Sequence, residues 1–131
     1  LGDFAAAHHW LDQASAHCRR PRVTHVNHLS VIHLERGHLA AAEAEWALAR
    51  QHYQAAAAHV GCIAADVQEA HYGLARVAWA ERDCAEAQRL LSGVIDHPAT
   101  EAAIRERARR LQQRWELWDV LAGLAADPAV M

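Results

Sequence analysis

Residues 70–98, AHYGLARVAWAERDCAEAQRLLSGVIDHP, decide the fold of this chain. The stretch reads as two amphipathic helices joined by a tight polar turn at Glu81-Arg82-Asp83. Leu74, Ala75 and Ala78 form one stripe on the first helix. Ala87, Leu90, Leu91 and Val94 form one on the second, at spacings of three and four residues. Small side chains at Ala75, Ala78 and Ala87 let the two backbones approach closely. Asp83 is placed to cap the second helix by accepting a hydrogen bond from an early amide, and Pro98 stops that helix.

The order small–Tyr–x–Leu–Ala, a polar turn ending in Asp, then Ala87 and finally Pro98 resembles the tetratricopeptide repeat. Arg82 stands where that family usually has a turn glycine, and Cys84 where an aromatic is common. Two other places echo the pattern. Gly2-Asp3 followed by Phe4, Ala7, Leu11 and Ala14 resembles the second helix of a repeat. Gly37 followed by Leu39, Ala42, Trp46 and Ala49 repeats it 35 residues later. Ala7, Ala42 and Ala87 are then equivalent helix crossings. The interval from Gly37 to Arg82 is 45, read as two helices, Leu39 to about His59 and about Ile63 to Ala80, each lengthened and separated near Gly61.

The expected fold is therefore all-α. The resemblance implies a right-handed superhelix of antiparallel helical hairpins, a solenoid of tetratricopeptide type. Its parts are a half repeat over 1–20, repeats over 22–59 and 62–97, and a capping helix over 99–122. That last helix carries Ile104, Ala108, Leu111, Trp115 and Trp118 on its packing stripe. The expected helix before Gly37 spans about Val23 to Glu35, with Val26, Leu29, Ile32 and His33 inward. The opening half repeat and the absence of an initiating Met suggest an excerpt of a longer chain. Elongated repeats and the junction HPATEAAIRERARRL resemble the C-terminal helical arrays of large bacterial regulators that follow a signal-sensing ATPase.

Composition agrees with helices: alanine is the commonest residue, with only 6 Gly and 3 Pro. The net charge of −3 and the absence of lysine argue against a duplex-binding stripe. The one dense basic run, Arg105 to Arg114, is diluted by Glu101, Glu106 and Glu116 and reads as a solvated helix face. Three dispersed cysteines fit a reduced cytoplasmic setting, and no apolar run approaches the ~20 residues of a membrane span.

No nucleophile elbow, phosphate-binding loop or H-E-x-x-H occurs, so an enzyme is not expected. His25/His28, His59/Cys62/Asp66 and His8/Asp12 do not assemble the converging ligands that zinc requires. No metal or other cofactor is expected. In tetratricopeptide arrays the first helix of each repeat lines a concave groove. Here that implies Asn27 and Glu35 from one repeat and Glu69, Tyr72, Arg76 and Trp79 from the next. Tyr72, Arg76 and Trp79 share one face and suit a peptide or an acidic ligand. The expected function is a protein-interaction or ligand-sensing scaffold of a larger cytoplasmic regulator, its partner a protein, a peptide or another domain of the same chain. The alternatives are a self-association module making a homo-oligomer, or an effector-binding sensor coupled to an ATPase. Neither nucleic acid nor membrane is an expected direct partner.

Overall fold

The structure, a computed structural model, describes residues 3–18, 26–59 and 62–126. Every element among them is helical: α1 (Phe4–Cys18), α2 (Val26–Ala42), α3 (Trp46–Ala58), α4 (Ala64–Ala80), α5 (Cys84–Asp96) and α6 (Ala102–Ala126). The expected turn at Gly2-Asp3, the helix start at Val23 and the break at Gly61 involve residues outside those described.

Asp83 caps α5 as its position dictates, its Oδ1 accepting from the Glu86 amide at 3.3 Å. Asp3 caps α1 in the same way, accepting from the Ala6 amide at 3.1 Å.

The α2–α3 and α4–α5 turns are copies of each other. Residues 43–45 and 81–83 each leave the helix through a left-handed residue, Ala44 (φ 58°) and Arg82 (φ 67°). Each turn is closed by a long-reach amide bond, Glu45 N to Ala40 O at 2.8 Å and Asp83 N to Ala78 O at 2.9 Å. This is the Schellman arrangement, in which the left-handed position usually falls to glycine.

The turn expected at Gly37 is therefore displaced: α2 runs through Gly37 and ends at Ala42. Gly37 is needed for packing instead, because a Cβ there would lie 2.7 Å from the Tyr53 ring. With the turn at Ala44, helix starts, lengths and turns recur at a displacement of 38. Val26, Ala64 and Ala102 open the first helices, and Trp46 and Cys84 the second ones. The 35- and 45-residue intervals dissolve. The match of Phe4 and Ala7 to Leu39 and Ala42 goes with them, because α1 opens at Phe4, 42 residues before Trp46, and does not share the 38-residue displacement. Ala49 and Ala87 are fully buried at their crossings, while Ala42 is exposed and is not an equivalent crossing.

Each hairpin folds on itself, α2 on α3 and α4 on α5, and α3 also packs on α4. First helices touch one another, α2 against α4 and α4 against α6. Among the described residues the second helices α3 and α5 do not touch. One core, around Leu34, Ala49, Tyr53 and Val77, binds the first hairpin to α4. A second, around Ala75, Leu91, Val94, Ile104 and Trp115, binds α4, α5 and α6. Thr100 anchors the start of α6 by donating its hydroxyl to the Val94 carbonyl at 2.7 Å. Trp118 does not share the packing of Trp115: it is 60% exposed toward the C-terminal end of α6, where Leu117, Val120, Leu121 and Leu124 are also exposed.

Candidate functional site

Tyr53 is the centre of the polar construction at the α2/α4 junction. It comes from α3, is fully buried, and passes between two glycines, Gly37 of α2 and Gly73 of α4. A Cβ at Gly73 would lie 2.3 Å from the Tyr53 Cζ, so only glycine leaves room for the ring. The hydroxyl meets His38 Nδ1 at 2.8 Å, and His38 Nε2 stands 3.6 Å from Glu69 Oε1. With the phenol donating to Nδ1, the imidazole carries its proton on Nε2 and directs it toward the carboxylate. Burial pushes the Tyr53 phenol far above its ordinary value. Arg76 opposes that shift, while Glu69, Glu35 and Tyr72 add to it. The phenol stays protonated, and its partner satisfies a hydroxyl that burial would otherwise make costly.

The six residues expected to line a groove fall into several settings. Glu69, Tyr72 and Arg76 lie along one face of α4, spaced three and four residues apart. Tyr72 lines a cavity of about 210 Å³ between α4 and α6, with Arg107, Arg110, Leu111 and Arg114. Arg76 makes no hydrogen bond or ion pair among the described residues, so it pairs with neither Glu69 nor Asp83. Trp79 is half-buried and stacks on Trp115, centroids 4.4 Å apart and planes 7° from parallel. Glu35 belongs to a different cleft, between α1 and α2, with Ala7, Trp10, Leu11, His38 and Leu39. Asn27 is on α2, but its side chain lies outside the described residues.

No family model matches this chain, nor does any curated protein or solved structure.

Reasoning from the sequence missed Tyr53, His38 and the α6 arginines as members of this face. The arginines carried a signal in their spacing of three and four residues, 107, 110 and 114. A displacement of 38 places them at the positions of Glu69, Tyr72 and Arg76. Tyr53 carried none, because a tyrosine among alanines shows nothing of the glycines it will face. No group of three or more His, Cys, Asp or Glu side chains among the described residues could hold a metal ion. His25 and part of the His28 pairing lie outside the described residues. His8 and Asp12 do not pair with each other: His8 meets Glu43 at 2.8 Å and Asp12 accepts from Arg36 at 2.6 Å. No helix among the described residues is long and apolar enough to cross a membrane.

The α2–α3 contact carries a pH dependence. His33 and His52 face each other, Nδ1 to Nδ1 at 3.2 Å, which needs at least one unprotonated nitrogen. Burial lowers the His52 pKa, helped by the charges of His33, Arg36 and His8. Burial lowers that of His71 likewise, with Arg89 and His97. A histidine whose folded value is depressed contributes its stability above the unfolded value of 6.5, and that stability is lost as the pH falls below it. Asp12 and Glu86, lowered by their arginine partners, lose stability only in the more acidic carboxylate range. The thermal midpoint should therefore fall as the pH drops from about 7.5 to 5.5. His52→Gln should flatten that slope, and an unchanged slope would remove His52 from the account.

Proposed function

We propose that the chain is a protein-interaction scaffold of tetratricopeptide type. In this reading its hairpins coil into a right-handed superhelix, and α2, α4 and α6 present a concave groove to a protein or peptide partner. One observation carries the reading: successive first helices touch while the second helices α3 and α5 do not. An array built that way curves with its first helices inside, and the recurrence at 38 residues gives it the regularity of stacked repeats. Two residues of the inner row support the reading: Arg76, which makes no hydrogen bond or ion pair among the described residues, and Tyr72, which packs on the second core at one side and opens to the α4/α6 cavity at the other. Trp79 serves the scaffold rather than the partner, since its ring is stacked on Trp115. The larger setting that the resemblance implies is a cytoplasmic regulator in which such an array receives another protein or another domain of the same chain.

The test is selection of a displayed random-peptide library against the chain. The expected result is a set of peptides that compete with one another and bind less tightly, by about 1–3 kcal/mol, when Arg76 is replaced by alanine. The exposed Gln51 and Gln54 of α3 lie off this row, and their replacement should leave affinity unchanged. Peptides that respond to the glutamines and not to Arg76 would place binding elsewhere and defeat the groove reading.

A further inference from the structure

Ten arginines lie among the described residues, and their partners divide them. Arg36, Arg50, Arg89 and Arg110 each meet a carboxylate. Arg105 donates to the carbonyls of Ile95 and His97. Arg76, Arg82, Arg107, Arg109 and Arg114 have no such acceptor. Arg107 and Arg114 line the cavity at Tyr72, with Arg110 between them, and Arg76 stands one helical turn beyond Tyr72 on α4. Arg110 is held by Glu106 at 3.2 Å but remains highly exposed, so its charge is only partly offset.

We propose that this α4/α6 cavity is a carboxylate-reading pocket that takes the Asp or Glu side chains of an acidic peptide segment from a partner protein. The proposal rests on the scaffold reading above and names the chemistry of its partner. Arg107 and Arg114 offer forked donors that match a carboxylate in pairs, and the Tyr72 ring and Leu111 supply an apolar floor for the adjoining side chain.

The surrounding charges set the length of the anion. Toward the other end of α4 the field reverses: Glu69 and Glu101 act on Asp66, whose carboxyl is raised by burial and by both those charges. A long, uniform polyanion such as a nucleic-acid backbone, following the first-helix face, would run from an attractive region into a repulsive one. A short acidic segment placed at the arginines avoids that cost. These side chains sit at the rim of the fold, so their attraction is screened by salt.

The experiment titrates the 131-residue chain into a short fluorescein-labelled peptide of alternating Glu, Leu and Tyr, and into its counterpart with Gln for every Glu. The acidic peptide should bind the more tightly and weaken as salt is raised. Its affinity should fall about tenfold or more in the Arg107→Gln/Arg114→Gln variant. Arg107→Lys/Arg114→Lys keeps the charge but not the forked donors and should lose less. Both arginines are exposed, so an unchanged helical spectrum confirms that the variants are folded.

Equal binding of the two peptides, lost in Tyr72→Ala, would overturn the carboxylate pocket and leave the groove reading standing. Undiminished binding of the acidic peptide to Arg107→Gln/Arg114→Gln would overturn the pocket's location. A single-stranded oligonucleotide of matching charge that displaces the peptide equally well would overturn the peptide in favour of nucleic acid. Binding of neither peptide at about 1 mM would overturn the proposal, and the scaffold reading would then stand or fall on the library selection alone.

Discussion

Tyr53→Ala should destabilise the chain by about 3–5 kcal/mol, a fall in thermal midpoint of roughly 10–20 °C. The ring is fully buried and fills a slot whose walls are the Cα atoms of Gly37 and Gly73. Those walls are helical backbone and cannot collapse onto the vacated space as flexible side chains would. Removal also leaves His38 without its hydroxyl partner. Tyr53→Phe keeps the ring and loses only that bond, so it should cost about 0.5–1.5 kcal/mol.

Gly73→Ala separates two opposed effects. Alanine gains about 1 kcal/mol over glycine in a helix interior. Its Cβ would stand 2.3 Å from the Tyr53 Cζ, however, and forcing that contact typically costs about 1–3 kcal/mol, occasionally more. Because the ring is confined on both sides, destabilisation should win. The second unit shows how to relieve it: a displacement of 38 places Leu91 at the Tyr53 position, with Ala75 and Leu111 at those of Gly37 and Gly73. Adding Tyr53→Leu to Gly73→Ala should therefore recover part of the loss. A stabilised Gly73→Ala single variant would show that the ring is free to move and would defeat the clamp.

That exchange of volume explains what the sequence disclosed. Helix positions were legible because Ala87, Leu91 and Val94 obey helical spacing and Asp83 is a recognisable cap. The turn between α2 and α3 was not, because a glycine was the natural candidate and the left-handed residue is Ala44. Gly37 drew the turn to itself while its real task was to face Tyr53 across two helices, a contact no local window contains. The same limit applied to the site. Tyr72 and Arg76 share a helix face that spacing reveals, but their neighbours Arg107 and Arg114 are more than 30 residues away in sequence. Read alone, those arginines resemble any solvated helix. Only the packing of α4 beside α6 turns them toward Tyr72.

Trp115 and Trp118 should respond oppositely to the same substitution, although one helical spacing placed both on the packing stripe of α6. Trp115 is 3% exposed, is fixed in the second core and stacks on Trp79. Trp115→Ala removes a large apolar surface from the junction of α4, α5 and α6 and should cost about 3–5 kcal/mol. Trp118 is 60% exposed toward the end of α6, so Trp118→Ala should stay within about 0.5 kcal/mol of the parent. The stacked pair supplies a second readout independent of stability. Two parallel indoles at 4.4 Å couple their transitions, which should give a circular-dichroism couplet in the indole region. Trp79→Phe or Trp115→Phe should each abolish that couplet while leaving an aromatic ring in the core, and Trp118→Phe should leave it intact. The pairing also bears on the groove, because a partner that needed the Trp79 face would have to break this stack. A couplet that persists when an acidic peptide saturates the chain is the expected result. Its loss on binding would mean that Trp79 leaves Trp115 for the partner, and that the inner face extends one turn further along α4 than Arg76.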